Sequence, residues 1–244
     1  VRLVITPRRL SVGLFVAGLV AGTAADRPAD RPSLMLGGYR VIAADFHLHT
    51  STWSDGALTP WGLVLEARRQ GLDAIAITGH NEVADSQVGR WFSGIAGGAT
   101  VLTGQEILAP GHHVIAVGID RVVDSRLSVA DEIDDVHRQG GVAIAAHPVH
   151  QFWPGFNAAA MARLDGAEIC HPVIYERADG QEDLERFAAR GSVAAIGSSA
   201  PGPPGNASGA PSAWKARPSV VASASSTGRR ASRWMVAHSP RPMV

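Results

Sequence analysis

The chain has 244 residues, room for one domain of α/β-barrel size or two small ones, and its 45% hydrophobic content can fill a core. Its 22 basic and 22 acidic side chains sum to zero, which speaks against a basic nucleic-acid surface or an acidic tail. A single cysteine, Cys170, excludes an intramolecular disulfide and argues against a cysteine-based zinc site.

The zero conceals a partition. From Asp45 to Glu185 there are 20 acidic side chains against eight arginines. Six basic and two acidic residues precede that stretch, and eight basic residues with no acid follow it. Nine of the ten histidines, from His47 to His171, fall inside the acidic stretch.

In chain order, residues 1–25 read as an export signal. Arg2, Arg8 and Arg9 precede an apolar run at 12–22 that is too short to span a bilayer, and small residues follow at 21–25. The expectation is a periplasmic or extracellular protein with no stable membrane span; the alternative is a buried terminal helix in a cytoplasmic one. Residues 26–40, with two Arg-Pro pairs, read as a linker.

Residues 41–198 read as the folded domain. Apolar runs of strand length occur at 41–46, 74–78, 100–103, 114–118, 142–146, 167–170 and 193–196. Between them, Thr59 and Pro60 start a helix that Gly71 stops, Ser128 starts one that Gly140 and Gly141 end, and a short one runs from Asn157 to Leu164. This alternation predicts an α/β fold whose largely parallel sheet closes into a barrel. No glycine fingerprint of a dinucleotide site follows the first strand.

The chemistry gathers at strand ends. Alternation on a strand places Asp45, His47 and His49 on one face and Phe46 and Leu48 on the other. Two histidines so spaced can bind one metal, or two adjacent ones. Asp55, His80, Glu106 and His147 stand at or just beyond later strand ends, which converge at the C-terminal face of a parallel barrel. His113 is the exception, lying at the start of its strand. Imidazoles mixed with carboxylates suit zinc, manganese or iron better than magnesium. One ion needs three or four ligands, so these seven residues point to two or three ions. His171, after the sixth strand, is a candidate substrate contact. His112 and His150 take loop or strand-edge positions. His137 with Asp131, Glu132, Asp134 and Asp135 reads as a solvated helix surface. Trp53, Trp61, Trp91 and Trp153 read as packing residues, Trp153 near enough to His147 to line the mouth.

The run Asp45-Phe46-His47-Leu48-His49-Thr50, followed by Ser54-Asp55-Gly56, resembles the opening motif of the PHP (polymerase and histidinol phosphatase) superfamily. Gly71-Leu72-Asp73, Ile77-Thr78-Gly79-His80-Asn81, Gly104-Gln105-Glu106, the segment 113–118 and Ala146-His147-Pro148 follow in that family's order and approximate spacing, over about residues 40–198. The resemblance implies a distorted seven-stranded β/α (TIM-like) barrel with a site for two or three divalent metal ions (Zn, Mn or Fe). It implies His47, His49, Asp55, His80, Glu106, His113 and His147 as ligands, with Glu106 able to bridge two ions. The expected activity is hydrolysis by metal-activated water, with small-molecule phosphoesters as substrate and no nucleic-acid partner. The segments 55–61 and 102–106 look most like the CehA/McbA-type branch, which implies carbamate or carboxylic ester hydrolysis as the alternative.

The chain departs from the family after the seventh strand. Where the family places Gly-Ser-Asp-x-His, the sequence reads Gly197-Ser198-Ser199-Ala200-Pro201. Residues 199–244 lack Asp, Glu, Leu, Ile, Phe and Tyr, and such a segment is expected to be disordered. A shifted reading frame or truncation near codon 199 accounts for the motif loss and the composition change together, and leaves the last part of the barrel missing. It also raises a third expectation, a metal-binding domain with impaired catalysis.

Overall fold

The computed structural model describes residues 7–25, 34–36, 39–171, 180–191, 194–197, 219–223 and 234–236. A first helix, α1 (Pro7–Ala25), covers most of the expected signal segment, and Leu10, Leu14 and Phe15 on it are exposed. That exposure sets aside the buried terminal helix. No helix among the described residues is long and apolar enough to cross a membrane.

The domain follows as β1 (Leu34–Leu36), β2 (Tyr39–Leu48), α2 (Pro60–Arg69), β3 (Ala74–His80), α3 (Ala84–Ala96), β4 (Thr100–Ala109) and β5 (His112–Val117). Next come α4 (Val129–Arg138), β6 (Val142–Ala145), a 3₁₀ turn at His150–Gly155, α5 (Ala158–Met161), β7 (Gly166–Cys170), α6 (Gly180–Gly191) and β8 (Ala194–Gly197). The predicted apolar runs all fall on β2 to β8. The caps are those the sequence signalled: Thr59 Oγ1 accepts the Gly62 N–H, Ser128 Oγ accepts that of Asp131, and Asn157 Oδ1 accepts that of Ala160.

With β9 (Ser219–Ser223) and β10 (Trp234–Val236), the sheet runs β10-β9-β2-β3-β4-β5-β6-β7-β8 and curls into a partial barrel. Neighbours among β2, β3 and β4 are parallel, as are those among β6, β7 and β8. The expectation of a largely parallel sheet fails at β5, which is antiparallel to both β4 and β6. The cause is local. Pro110-Gly111, with Gly111 at φ 86°, forms a two-residue hairpin that pairs Ala109 with His112. The start of β5 therefore lies at the same end as the C-termini of the parallel strands, and His113 is no exception to their convergence.

The expected disordered tail also holds structure. β9 (Ser219–Ser223) pairs antiparallel with the first half of β2, and β10 (Trp234–Val236) with β9. Val220 and Val221, β-branched and suited to a pleated surface, pair with Ala43 and Ile42 along what would otherwise be an open edge. The other residues of 199–244, including Ser199, lie outside those described, as does most of the expected linker at 26–40.

Alternation sorts the strand side chains into an inner and an outer layer. The inner, concave layer holds Ala44, Phe46, Ala74, Ala76, Ile115, Val117, Ile144 and Ala146. The outer layer packs on the helices. Leu63, Val64 and Ala67 of α2 meet Ile75, Ile77 and Val101, while Ile133 and Val136 of α4 cluster with Ile107, Val114, Ala143, Phe156 and Phe187. At the strand beginnings two aspartates act alike. Asp73 Oδ2 accepts the Ala43 N–H and Asp165 Oδ2 that of Ala143, both at 2.8 Å.

Some surface expectations need correction. Glu132 is fully buried, because Val129, Glu132, Ile133 and Val136 share one face of α4, and its Oε2 lies 2.8 Å from buried His112 Nε2. Trp53, Trp61 and Trp91 are exposed (61%, 46% and 67%) and pack no core. Trp153 is part-buried, and its Nε1 donates to Pro148 O. His137 pairs with Asp165 at 2.8 Å.

Candidate metal centre

Every predicted ligand reaches one end of the curled sheet, by four kinds of backbone logic. On β3, β4 and β5, simple alternation suffices: His80 continues the inner row of Ala76 and Thr78, Glu106 that of Leu102 and Gly104, and His113 that of Ile115 and Val117.

On β2 the alternation breaks. Asp45 pairs with Ile75 but Leu48 with Ile77, so β2 carries one residue more than β3. Phe46 consequently sits in the inner layer and Leu48 in the outer one, not together as the sequence predicted. The shift turns His47 and His49 inward, while Asp45 Oδ1 accepts the His47 backbone N–H.

His147 follows inward-facing Ala146, so alternation would send it outward. Its φ of 27° turns it back, an uncommon conformation for a residue other than glycine, and one that the following Pro148 disfavours further. Asp55 arrives from the loop after β2, closed by Gly56 N–H to Thr50 O and Ser51 N–H to Leu58 O. A Cβ on Gly56 would stand 2.1 Å from His49 O, so only glycine fits this close approach.

The centre of the cluster is Glu106, 2% exposed. Its Oε2 lies 3.3 Å from the Nε2 atoms of His47, His49 and His80, and its Oε1 lies 3.0 Å from His147 Nε2 and 3.2 Å from His113 Nδ1. Asp55, 76% exposed at the rim, approaches His49 Nδ1 at 3.5 Å and His80 Nε2 at 3.6 Å. Next to Asp55, Ser54 Oγ lies 2.7 Å from His49 Nδ1. His171 stacks edge-on to His147 with ring centroids 5.1 Å apart.

Glu168, which the sequence reading passed over, completes the arrangement. It is fully buried on the inner face of β7. Its oxygens lie 3.3 and 3.2 Å from His47 Nδ1, and Oε2 accepts the His147 backbone N–H at 2.8 Å. A lone carboxylate inside the apolar run at 166–170 was the available signal, since a buried charge requires a partner.

These contacts set the protonation states. Burial would lower the His47 pKa, but Glu168 and Glu106 outweigh it and hold the value well above 6.5. His49 goes the other way, to about 4, through burial and then the His47 charge. Burial also takes His171 to about 4. Burial pushes Glu106 upward, yet His47, His113 and His147 bring it well below the usual carboxylate range. Glu168 similarly falls to about 2, against its burial, because of charged His47.

The same contacts decide whether the residues suit metal ions. His171 Nδ1 is buried without a hydrogen-bond partner, His113 Nδ1 has the Glu106 oxygen at 3.2 Å in poor hydrogen-bond geometry, and His47 Nε2 faces His49 Nε2 at 2.9 Å. Unsatisfied imidazole lone pairs beside a carboxylate are costly in a dry interior and are what a divalent cation satisfies. Four groups of ligand atoms, each within 4.8 Å, meet the requirement: His47-His49-Glu106, Glu106-His113-His147, His49-Asp55-His80 and His47-His147-Glu168-His171. Glu106 belongs to two of them. The donors fit the metal classes expected from the sequence.

No family model matches the sequence. The uncharacterised protein MJ1587 of Methanocaldococcus jannaschii is 28% identical over 141 residues, 52% of this chain and 80% of that protein. A two-domain protein from Bacteroides vulgatus, containing a predicted PHP-like metal-dependent phosphoesterase, superposes with a TM-score of 0.56 at 23% identity over 71% of this chain. The match spans 55% of the length of that protein. An amidohydrolase from Chromobacterium violaceum, solved with bound sulfate and no metal, gives a TM-score of 0.51 at 19% identity over 66% of this chain and 88% of that one. The chain thus shares its fold with these two solved proteins.

Proposed function

We propose that the chain is a metal-dependent hydrolase of the PHP type, acting on small phosphoesters at a site for two or three zinc, manganese or iron ions. The carrying observation is the convergence of five imidazoles on the two oxygens of Glu106. In this reading His47, His49, Asp55, His80, Glu106, His113 and His147 would hold the ions, and Glu106 belongs to two of the candidate ligand groups. Bound divalent cations would supply Lewis acidity and lower the pKa of water toward neutrality.

The protein groups do the rest. Glu106 and Glu168 compensate charge inside a buried pocket, which is worth more there than in water. Neutral, part-buried His171 beside His147 would offer a hydrogen bond to a substrate oxygen, and exposed Asp55 marks the open side where substrate would enter. The segments 55–61 and 102–106 favour, as a second reading, carbamate or carboxylic esters of the CehA/McbA type. No nucleic-acid partner is proposed, because the basic and acidic side chains of the chain balance. Export rests on the Arg-flanked apolar segment now seen as α1.

A third reading has its own observation: Ser199-Ala200-Pro201 stands where the family has Asp-x-His, so this stretch of sequence lacks the two ligands that the resemblance implies there. The experiment is metal analysis by plasma emission, followed by phosphomonoester, phosphodiester and carbamate substrates. At least two ions per chain with phosphoester turnover supports the first reading. Turnover of carbamates alone supports the second. Fewer than two ions and no turnover supports the third.

A further inference from the structure

We infer that Glu168 is a positioning residue that holds His47 in the tautomer able to ligate metal through Nε2 and ties it to the backbone of His147. The inference rests on the metal-site reading and adds to it a residue outside the seven expected ligands.

The geometry is specific. A carboxylate only accepts hydrogen bonds, and His47 faces one at each nitrogen; both Glu168 oxygens face Nδ1, at 3.3 and 3.2 Å, whereas the Glu106 Oε2 facing Nε2 is shared with His49 and His80, so the proton of a neutral His47 belongs on Nδ1. The lone pair is then on Nε2, the atom 3.3 Å from Glu106 Oε2. Oε2 of Glu168 also accepts the His147 N–H at 2.8 Å. His147 needs that anchor, since its φ of 27° is an uncommon conformation that persists only when its surroundings impose it. One buried side chain thus sets two imidazoles, one from each of the groups that share Glu106. Orientation of a metal-binding imidazole by a carboxylate on its far nitrogen is worth roughly 10–100-fold in metal affinity.

Glu168 also falls within ligand distance of His47, His147 and His171, so a direct ligand role must be distinguished. Its 0% exposure and its bonds to His47 and His147 favour positioning, because both donors already draw on the carboxylate.

The test begins with the metal-free wild-type protein, at alkaline pH where His47 is neutral. Proton–nitrogen correlation spectra of the imidazoles, with His47 assigned through His47→Gln, should show the proton on Nδ1; a proton on Nε2 overturns the inference. Glu168→Gln comes second. With its amide oxygen kept on the His147 N–H in the place of Oε2, the amide nitrogen takes the place of Oε1, 3.3 Å from His47 Nδ1, and can donate to it. The expected results are a shift of His47 toward the Nε2-protonated form and a zinc affinity reduced roughly 10–100-fold by chelator competition, at an unchanged number of ions. Unchanged tautomer and affinity, or the loss of one whole ion in Glu168→Ala, overturn it. Absence of zinc binding in the wild type would instead refute the metal reading, while the tautomer spectrum still decides the role of Glu168.

Discussion

Glu106→Gln changes one charge at nearly constant shape, and its cost follows from the contacts. In the metal-free protein His47 is held charged, and its Nε2 lies 3.3 Å from Glu106 Oε2. At an effective dielectric of about 20 that attraction is about 5 kcal/mol. The variant also escapes the several kcal/mol required to bury the carboxylate, so the net loss should be about 2 kcal/mol. Sign decides the pH window. The folded pKa of His47 is raised, so the stabilisation is full below its unfolded value of 6.5 and is lost as pH rises through the folded value. Urea denaturation of metal-free wild type and variant should therefore show the larger gap near pH 6 and a smaller one in alkali. Zinc titration should show losses at both ligand groups that share Glu106. Equal midpoints near pH 6 with unchanged zinc stoichiometry would refute the reasoning.

Other outcomes follow from the same geometry. Gly56→Ala places a Cβ 2.1 Å from His49 O, so the loop carrying Asp55 must move; metal affinity should drop while the far-ultraviolet circular dichroism stays native. Phe156→Ala empties a core position 1% exposed that packs edge-on to Phe187, and should cost about 3–5 kcal/mol by urea denaturation. His49 and His171 have folded pKa values lowered to about 4, so the unfolded chain takes up their protons first. Stability of the metal-free protein should fall as pH drops from 6.5 toward about 4, by up to about 3 kcal/mol for each. A denaturation midpoint that is flat or rising over that interval contradicts the burial of these two rings. If a shifted frame created the segment after Ser198, an alternative frame downstream of that codon should encode Asp-x-His; its absence from both removes that explanation.

The sequence made the strands legible because each is a short apolar run, and it made α2, α4 and α5 legible because Thr59, Ser128 and Asn157 are good caps. The ligands were legible as residue types at strand ends. Their orientations were not. His49 depends on an extra residue in β2, and His147 on a left-handed backbone that no propensity favours. The reversal of β5 had a signal, two strand-length runs separated only by Pro110-Gly111, which the barrel pattern overrode. Glu132 and Glu168 share a lesson. Each is a charged residue at a position whose periodicity is apolar, and each is buried against a histidine, His112 or His47. The exposure of Trp91 and Trp61 had no such signal, since composition does not say which helix face lacks a neighbour.

The central claim is that Glu106 and its ring of histidines form a metal centre. Crystals of the full chain grown with zinc or manganese, measured at the absorption edge of that metal, test it most directly. The account predicts at least two anomalous peaks within bonding distance of the imidazoles, with Glu106 in contact with both. A map with no peak touching Glu106, from protein whose fold is intact, would contradict it.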